Sequence, residues 1–357
     1  MASTPRVVVC LSGGVDSAVA AYLLRQQGYD VTTITFWFWS FPGAPDYRGS
    51  TKCCSLDAAV RAAVELGVPH EEINASSAFR ALVVDDYVQR YRAGETPNPC
   101  GRCNRYLRFG LALEYAEKNG FEYVATGHHV RRVQEPSGRF SIRRGKDPDK
   151  DQTYFLYGLS QSELARLLFP IGEITKGEVF AVARTAGLSA AELPQSQDLC
   201  FAMDGSAQFL FEPTDLQAGP IVNLEGRPLG THRGLPRYTI GQRRGLGIAT
   251  AEPLYVIDID PQRNTLVVGT EDALFSDGLC AAETSYVADP PLDGARIEAK
   301  IRYRSTPVGA TFHRTSEDQF ALQFDEPQRA VTPGQLAVLY DGDRLLGGGT
   351  ILRQASC

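Results

Sequence analysis

Residues 6–11, RVVVCL, form an unbroken apolar, β-branched run. A glycine turn and the helically spaced SAVAAYLLRQQG (17–28) follow, which predicts strand, loop and helix. VTTITFWFW (31–39) reads as a second strand. LDAAVRAAVELG (56–67), FRALVVDDYVQRYRAG (79–94) and NRYLRFGLALEYAEKNG (104–120) read as helices, the last one starting near Asn104. YVATG (123–127) reads as a short buried strand. SQSELARLLF (160–169) and TKGEVFAVARTAGL (175–188) add two helices. Strands alternating with helices at this spacing predict an α/β doubly wound parallel sheet. Beyond about residue 205 the pattern shortens to PLYVIDID, NTLVVGT, ARIEAKIRYR, GATFHR, QFALQFD, QLAVLY and RLLGGGTIL, parted by Gly, Pro, Asn and Asp. Those segments predict one or two small antiparallel barrels or sandwiches.

Composition changes this picture little. The 357 residues are 43% hydrophobic and 22% charged, enough for two or three cores. The N-terminal apolar run is too short for a signal-peptide core, and no stretch reaches the roughly 18 apolar residues of a membrane span. The expectation is a soluble cytoplasmic protein with no membrane partner. A net charge of -6 means that a nucleic-acid partner must meet a local basic surface. Two segments supply one. His128 to Lys150 holds seven Lys/Arg against three acidic residues, and Arg227 to Gly247 holds five arginines and no acid. Such runs are commonly solvated faces, but phosphate contact is the reading favoured for both.

Ser12-Gly13-Gly14-Val15-Asp16-Ser17 joins the first strand to the first helix. Its glycines allow close approach of phosphates, and the helix N-terminus offers N–H groups and a positive dipole end. Asp16 is placed to hold Mg2+ or to cap the helix. No Gly-Lys-Ser/Thr follows, so this is not a Walker A loop. It resembles the SGGxDS loop of the ATP-pyrophosphatase superfamily, which implies cleavage of ATP between the α and β phosphates and transfer of AMP to an oxygen. A bare glycine turn with a capped helix is the alternative.

Eight cysteines in such a chain point to catalysis or metal binding rather than to a secreted disulfide framework. Cys100-x-x-Cys103 lies in TPNPCGRCN (96–104), a proline-bounded turn ahead of a helix. The helix dipole and Arg102 would favour thiolate there. Cys200 lies in SQDLCF (196–201). Cys53 and Cys54 open a helix and read as packing residues; Cys10, Cys280 and Cys357 read as solitary thiols. His70, His232 and His313 show no ligand spacing.

With SGGVDS, TPNPCGRCN, ATGHH, KDQTYFL, SQDLCF, YTIGQRRGLG, IRYR and TPGQLAVLY in this order, the chain resembles the tRNA-specific 2-thiouridylases over nearly its whole length. The resemblance implies an ATP-pyrophosphatase domain (1–204), a small central β-rich domain (205–280) and a C-terminal β-barrel (281–357). It implies 2-thiolation of the wobble uridine of tRNA: ATP and Mg2+ serve to adenylate the C2 oxygen. A persulfide on Cys200 carries sulfur from a cysteine desulfurase or relay protein, and Cys103 as nucleophile ends in a Cys103–Cys200 disulfide. By the same resemblance Cys10, Leu11, Ser12, Gly13, Gly14, Val15, Asp16, Ser17, Phe36 and Gly127 would line the ATP site. Asn98, Pro99 and Cys100 would touch the flipped base; His128, Lys150, Asp151, Gln152, Arg302, Tyr303 and Gln335 would contact tRNA. Three positions depart from the family: Cys100 stands where many members have Asp, Phe36 where methionine is usual, and His129 where tyrosine is common. The role of position 100 is thereby open.

Rival readings remain at this level. Cys100, Cys103 and Cys200 would suit three corners of a [4Fe–4S] cluster; a zinc site would need Cys53 or Cys54 as well. Another ATP-pyrophosphatase ligase acting on RNA would not need the cysteines. A non-catalytic RNA-binding module would not need ATP.

Overall fold

The computed structural model describes residues 4–39, 55–195, 199–202 and 206–353. Cys53, Cys54, Cys357 and the Ser196–Asp198 part of SQDLCF lie outside the described residues. The chain divides into two compact units: residues 1–83, 100–205 and 343–345, and residues 84–99, 206–342 and 346–357.

The first unit is built on a parallel sheet. Its strands are β1 (Arg6–Cys10), β2 (Asp30–Trp37), β3 (His70–Asn74), β4 (Tyr123–Ala125) and, after a hairpin of β5 (Val130–Gln134) and β6 (Phe140–Arg144), β7 (Leu167–Leu168). The order is β3-β2-β1-β4-β7, all parallel. β1 is central, and Val7, Val8 and Val9 are wholly buried, as its unbroken apolar run required. Helices α1 (Val15–Gln26) and α2 (Leu56–Leu66) follow in chain order; α1 packs Val19, Ala20 and Leu24 into the core. Ser55 caps α2 at one end, and Gly67, at φ 62°, closes the other.

Further helices are α3 (Ser76–Phe79), α4 (Asp85–Arg92), α5 (Pro99–Cys103), α6 (Phe109–Lys118), α7 (Gln161–Arg166) and α8 (Lys176–Thr185). They correct the sequence reading in three places. The helix expected from Asn104 begins at Pro99, because proline suits a first helical position, so Cys100 lies in its first turn and Cys103 is the last residue of α5. Both long helices expected at 79–94 and 104–120 contain a π-helical turn, at Arg80–Val84 and Asn104–Arg108. The expected helix 160–169 stops at Arg166; Leu167 turns extended and pairs with Val124, since completing the sheet edge buries it fully.

The second unit holds a four-stranded sheet and a barrel. β8 (Gly219–Val222), β9 (Pro228–His232), β10 (Tyr255–Asp260) and β11 (Thr265–Gly269) run in the order β10-β11-β8-β9, with β8 and β11 parallel. β12 (Phe275–Tyr286), β13 (Arg296–Lys300), β14 (Val308–Arg314), β15 (Phe320–Arg329), β16 (Leu336–Asp341) and β17 (Arg344–Ile351) form the barrel, ordered β12-β15-β14-β13-β16-β17. It closes where Ala281 pairs with Ile351 and Ala282 with Thr350. Phe312, Phe320, Leu322 and Leu339 fill its interior. α4 and residues 93–99 belong to this unit. Tyr87 and Tyr91 pack on Phe211, and Arg90 bonds Asp86, Glu95 and Glu283.

Candidate functional site

The loop between β1 and α1 is shaped for close approach. Gly13 adopts φ +81°, where a Cβ would meet the Ser55 carbonyl oxygen at 2.5 Å. Gly127, after β4, comes so near that a Cβ would stand 2.6 Å from the Asp16 carbonyl carbon and the Ser17 nitrogen. Gly14 is the N-cap of α1 and supplies no side-chain cap, so the first-turn N–H groups are left for a ligand. The two serines are bonded within the loop. Ser17 Oγ accepts from Ser12 N–H at 3.1 Å and donates to the Gly14 carbonyl, while Ser12 Oγ accepts from Gly14 N–H. Both hydroxyls thus brace the loop from within. Cys10, Leu11 and Phe36 are buried beside it, and Phe36 stacks on Phe38 at 5.8 Å. Burial pushes the Cys10 thiol up to about 12, despite the charge of Arg108, so it stays protonated.

Asp16 does not cap α1. Lys176 Nζ, from the first position of α8, lies 2.6 Å from both of its carboxylate oxygens, and His129 Nε2 lies 3.1 Å from Oδ1. Burial would raise the Asp16 pKa; the His129 hydrogen bond and the Lys176 charge outweigh it and hold it below the usual range. His128 lies between Phe109 and Phe169, with Nδ1 2.8 Å from Thr126 Oγ1. Desolvation, then Arg108, depress its pKa to about 3, so it meets any partner as a neutral imidazole. Lys176 and Arg108 were not singled out by the sequence. The available signal was a lysine at the start of a helix, against the dipole.

Cys103, Cys200 and Cys100 are thiols of the first unit. Cys103 is 7% exposed at the end of α5, where the chain enters the π turn; Cys200 is half-buried and Cys100 exposed. A line of ring contacts connects their neighbourhoods: Phe201 packs on Phe79 at 6.0 Å, Phe79 on Phe38 at 5.2 Å, and Arg108 lies 5.2 Å over Phe38. Among the described residues no group of three or more His, Cys, Asp or Glu side chains is placed to hold a metal ion. The three-cysteine cluster reading therefore finds no support among the described residues, where Cys100 is exposed, Cys103 buried and Cys200 half-buried. Cys280, expected as a solitary thiol, is disulfide-bonded, because sequence spacing does not reveal neighbours in space.

The expected tRNA-contact residues divide by their surroundings. Asp151 accepts from Thr153 N–H and Oγ1–H and from Gly145 N–H, and Gln152 Oε1 accepts from His129 N–H; both side chains hold the loop. Lys150 is half-buried nearby. In the second unit, Thr96, Gln242, Arg302 and Gln335, from four separate motifs, line one cleft of about 410 Å³. Gln335 Nε2 donates to the Thr96 carbonyl at 2.7 Å, and Arg302 donates to the Ala330 carbonyl. Tyr303 is half-buried under Lys300, Asn98 is half-buried and Pro99 buried.

The two basic segments also part company. Arg131, Arg132, Arg143 and Lys146 are spent on Asp343, Leu164, Glu135 and Glu178 within the first unit. Arg227, Arg233, Arg237, Arg243 and Arg244 of the second unit are exposed.

Residues 5–204 match the tRNA methyl transferase HUP domain family, 207–270 its PRC-barrel domain and 276–351 the aminomethyltransferase beta-barrel domain. The chain is 44% identical to the tRNA-specific 2-thiouridylase MnmA of Trichlorobacter lovleyi, covering 99% of this chain and 98% of the relative. The proteins of the same name from Geotalea uraniireducens and Moorella thermoacetica are also 44% identical, over 97% and 96% of this chain and 94% and 98% of theirs. No described helix is long and apolar enough to cross a membrane.

Proposed function

Since the chain belongs to the tRNA-specific 2-thiouridylase family, we propose that it thiolates the wobble uridine with sulfur relayed through Cys200 and Cys103. It is a tRNA sulfurtransferase that uses ATP. The near-complete coverage at 44% identity carries this reading. Residues 1–204 are read as the catalytic domain, 205–280 as the central domain and 281–357 as the barrel.

The chemistry requires two stages. The uracil C2 oxygen is a poor leaving group, so it first attacks the α-phosphorus of ATP and pyrophosphate departs. The Gly13–Gly14 loop and the open N-terminus of α1 fit the phosphates. Mg2+ would arrive with the nucleotide and offset its charge, since Asp16 is already bonded by Lys176 and, among the described residues, no group of three or more His, Cys, Asp or Glu side chains is placed to hold a metal. The terminal sulfur of a Cys200 persulfide then bonds to C2, and AMP leaves with the former C2 oxygen. Cys103 thiolate attacks Cys200 Sγ, which breaks the bond to the transferred sulfur. 2-Thiouridine departs, and a Cys103–Cys200 disulfide remains for an external thiol to reduce. A buried Cys103 suits this order, since its turn comes only after sulfur has reached the base. A cysteine desulfurase or relay protein would load Cys200.

Target-base contact is assigned to Asn98, Pro99 and Cys100, and tRNA contact to His128, Lys150, Arg302, Tyr303, Gln335 and the exposed arginines 243 and 244. The test is reconstitution with unmodified tRNA, ATP, a persulfide donor and a thiol reductant. The expected product is one 2-thiouridine at the wobble position and one AMP per tRNA. Sulfur incorporation at the same rate without ATP, or by the Cys103→Ser/Cys200→Ser double variant, would refute the scheme.

A further inference from the structure

The phosphate loop contains one charged side chain, and it is an anion. A lone Asp16 carboxylate would repel the polyphosphate that Gly13 and Gly14 are shaped to admit. The compensating cation comes from 160 positions downstream. Lys176 is only 8% exposed and sits at the first position of α8, the helix end at which a cation gains nothing from the dipole. The helix does not need it there: Thr175 and Glu178 already form a capping box. Instead the position is held from several sides. Asp147 accepts the Lys176 N–H at 2.9 Å, the Phe180 ring lies 5.3 Å from Nζ, and Asp16 grips Nζ with both oxygens.

The pair is not sealed away. The Asp16 side chain is 32% exposed, and Gly14, two residues before it, is open to solvent. Behind it, His129 is 3% exposed, bonded to Asp16 through Nε2, while its buried Nδ1 has no hydrogen-bond partner. The carboxylate is thus held by both an imidazole and an ammonium while part of it stays open to solvent.

We propose that Lys176 is the polyphosphate-binding cation of this site, with Asp16 and His129 as its positioning residues. The ligand class is the diphosphate end of ATP, the part that leaves as pyrophosphate. Lys176 does for this loop what a loop-borne lysine does in a Walker A site, but from a separate helix. This rests on the reading that the chain uses ATP.

The test measures binding of ATP, pyrophosphate and AMP, each with Mg2+, to the full-length wild type and to Lys176→Met, Lys176→Gln and Lys176→Arg. Lys176→Gln keeps a hydrogen bond to Asp16 and guards against a folding defect in Lys176→Met. Loss of a charge-assisted contact should weaken ATP and pyrophosphate about tenfold or more in both neutral variants, leave AMP within about twofold, and be partly restored by arginine. Unchanged ATP binding in the neutral variants overturns the proposal. So does an equal loss for ATP, pyrophosphate and AMP, which marks a collapsed loop. A wild type that binds AMP but neither ATP nor pyrophosphate overturns the ATP reading, and the proposal with it.

Discussion

Gly127 has no room for a methyl group, since its Cβ would press on the Asp16 and Ser17 backbone at 2.6 Å. Gly127→Ala should therefore displace the phosphate loop and weaken ATP binding about tenfold or more, with circular dichroism unchanged. Wild-type affinity in that variant would separate Gly127 from the nucleotide site. The thiols give a second residue-scale prediction. Cys100 is exposed, and the proposed persulfide relay does not use it. Cys100→Ser should lose rate but keep single-turnover transfer from a preloaded persulfide, whereas Cys103→Ser should block release of 2-thiouridine and Cys200→Ser its formation, both while still binding tRNA. Complete loss in Cys100→Ser would bring that thiol into the relay. The loop and the cysteines were legible in the chain because each chemistry resides in a short local string. Lys176 and Arg108 were not, because only folding carries position 176 to Asp16 and position 108 to the ring of Phe38.

At the element scale, legibility followed burial. β1 announced itself because both its faces are covered and its run is wholly apolar. β3, with sequence HEEIN, was invisible: an edge strand with one neighbour needs no apolar alternation. β12 was hidden by a bulge between Ser276 and Gly278 and by Glu283 at φ 51°. The α8 capping box permits a quantitative check. Thr175→Ala should cost about 1 kcal/mol, read from the shift in thermal midpoint. Glu178 is held down to about 2 by the Thr175 backbone N–H, then by Lys146 and the Thr175 hydroxyl. A depressed carboxylate stabilises the fold above its ordinary 4.5 and ceases to do so as pH falls through that range toward 2. The stability gap between wild type and Glu178→Gln should thus be flat at neutral pH and narrow below 4.5. A gap that widens on acidification would contradict this assignment.

On the scale of the whole molecule, a protein of net charge -6 must bind tRNA through a restricted surface. Exposed Arg243 and Arg244 should each contribute to counterion release. Their joint replacement by alanine should weaken tRNA binding and lower the salt-dependence slope by about 2. An unaltered slope would return them to plain solvation. Arg131→Ala should leave that slope alone and lower stability, because its charge is already engaged by Asp343. Charge counting could not separate the two segments, since both look basic on paper and only the fold shows which one is already occupied. The division of the chain has a further consequence, for its birth on the ribosome. Residues 84–99 lie between stretches of the first unit yet belong to the second. Arg90 is made 193 residues before Glu283, and Thr96 239 residues before Gln335. At ordinary rates of synthesis the second delay is about 10 to 50 s. Until residue 211 is made the nascent chain displays a helix whose aromatic side lacks Phe211, and until residue 283 its arginine lacks one of its three acids. That makes it a ready client for a holding chaperone, and a chain terminated early would display the helix for its whole life.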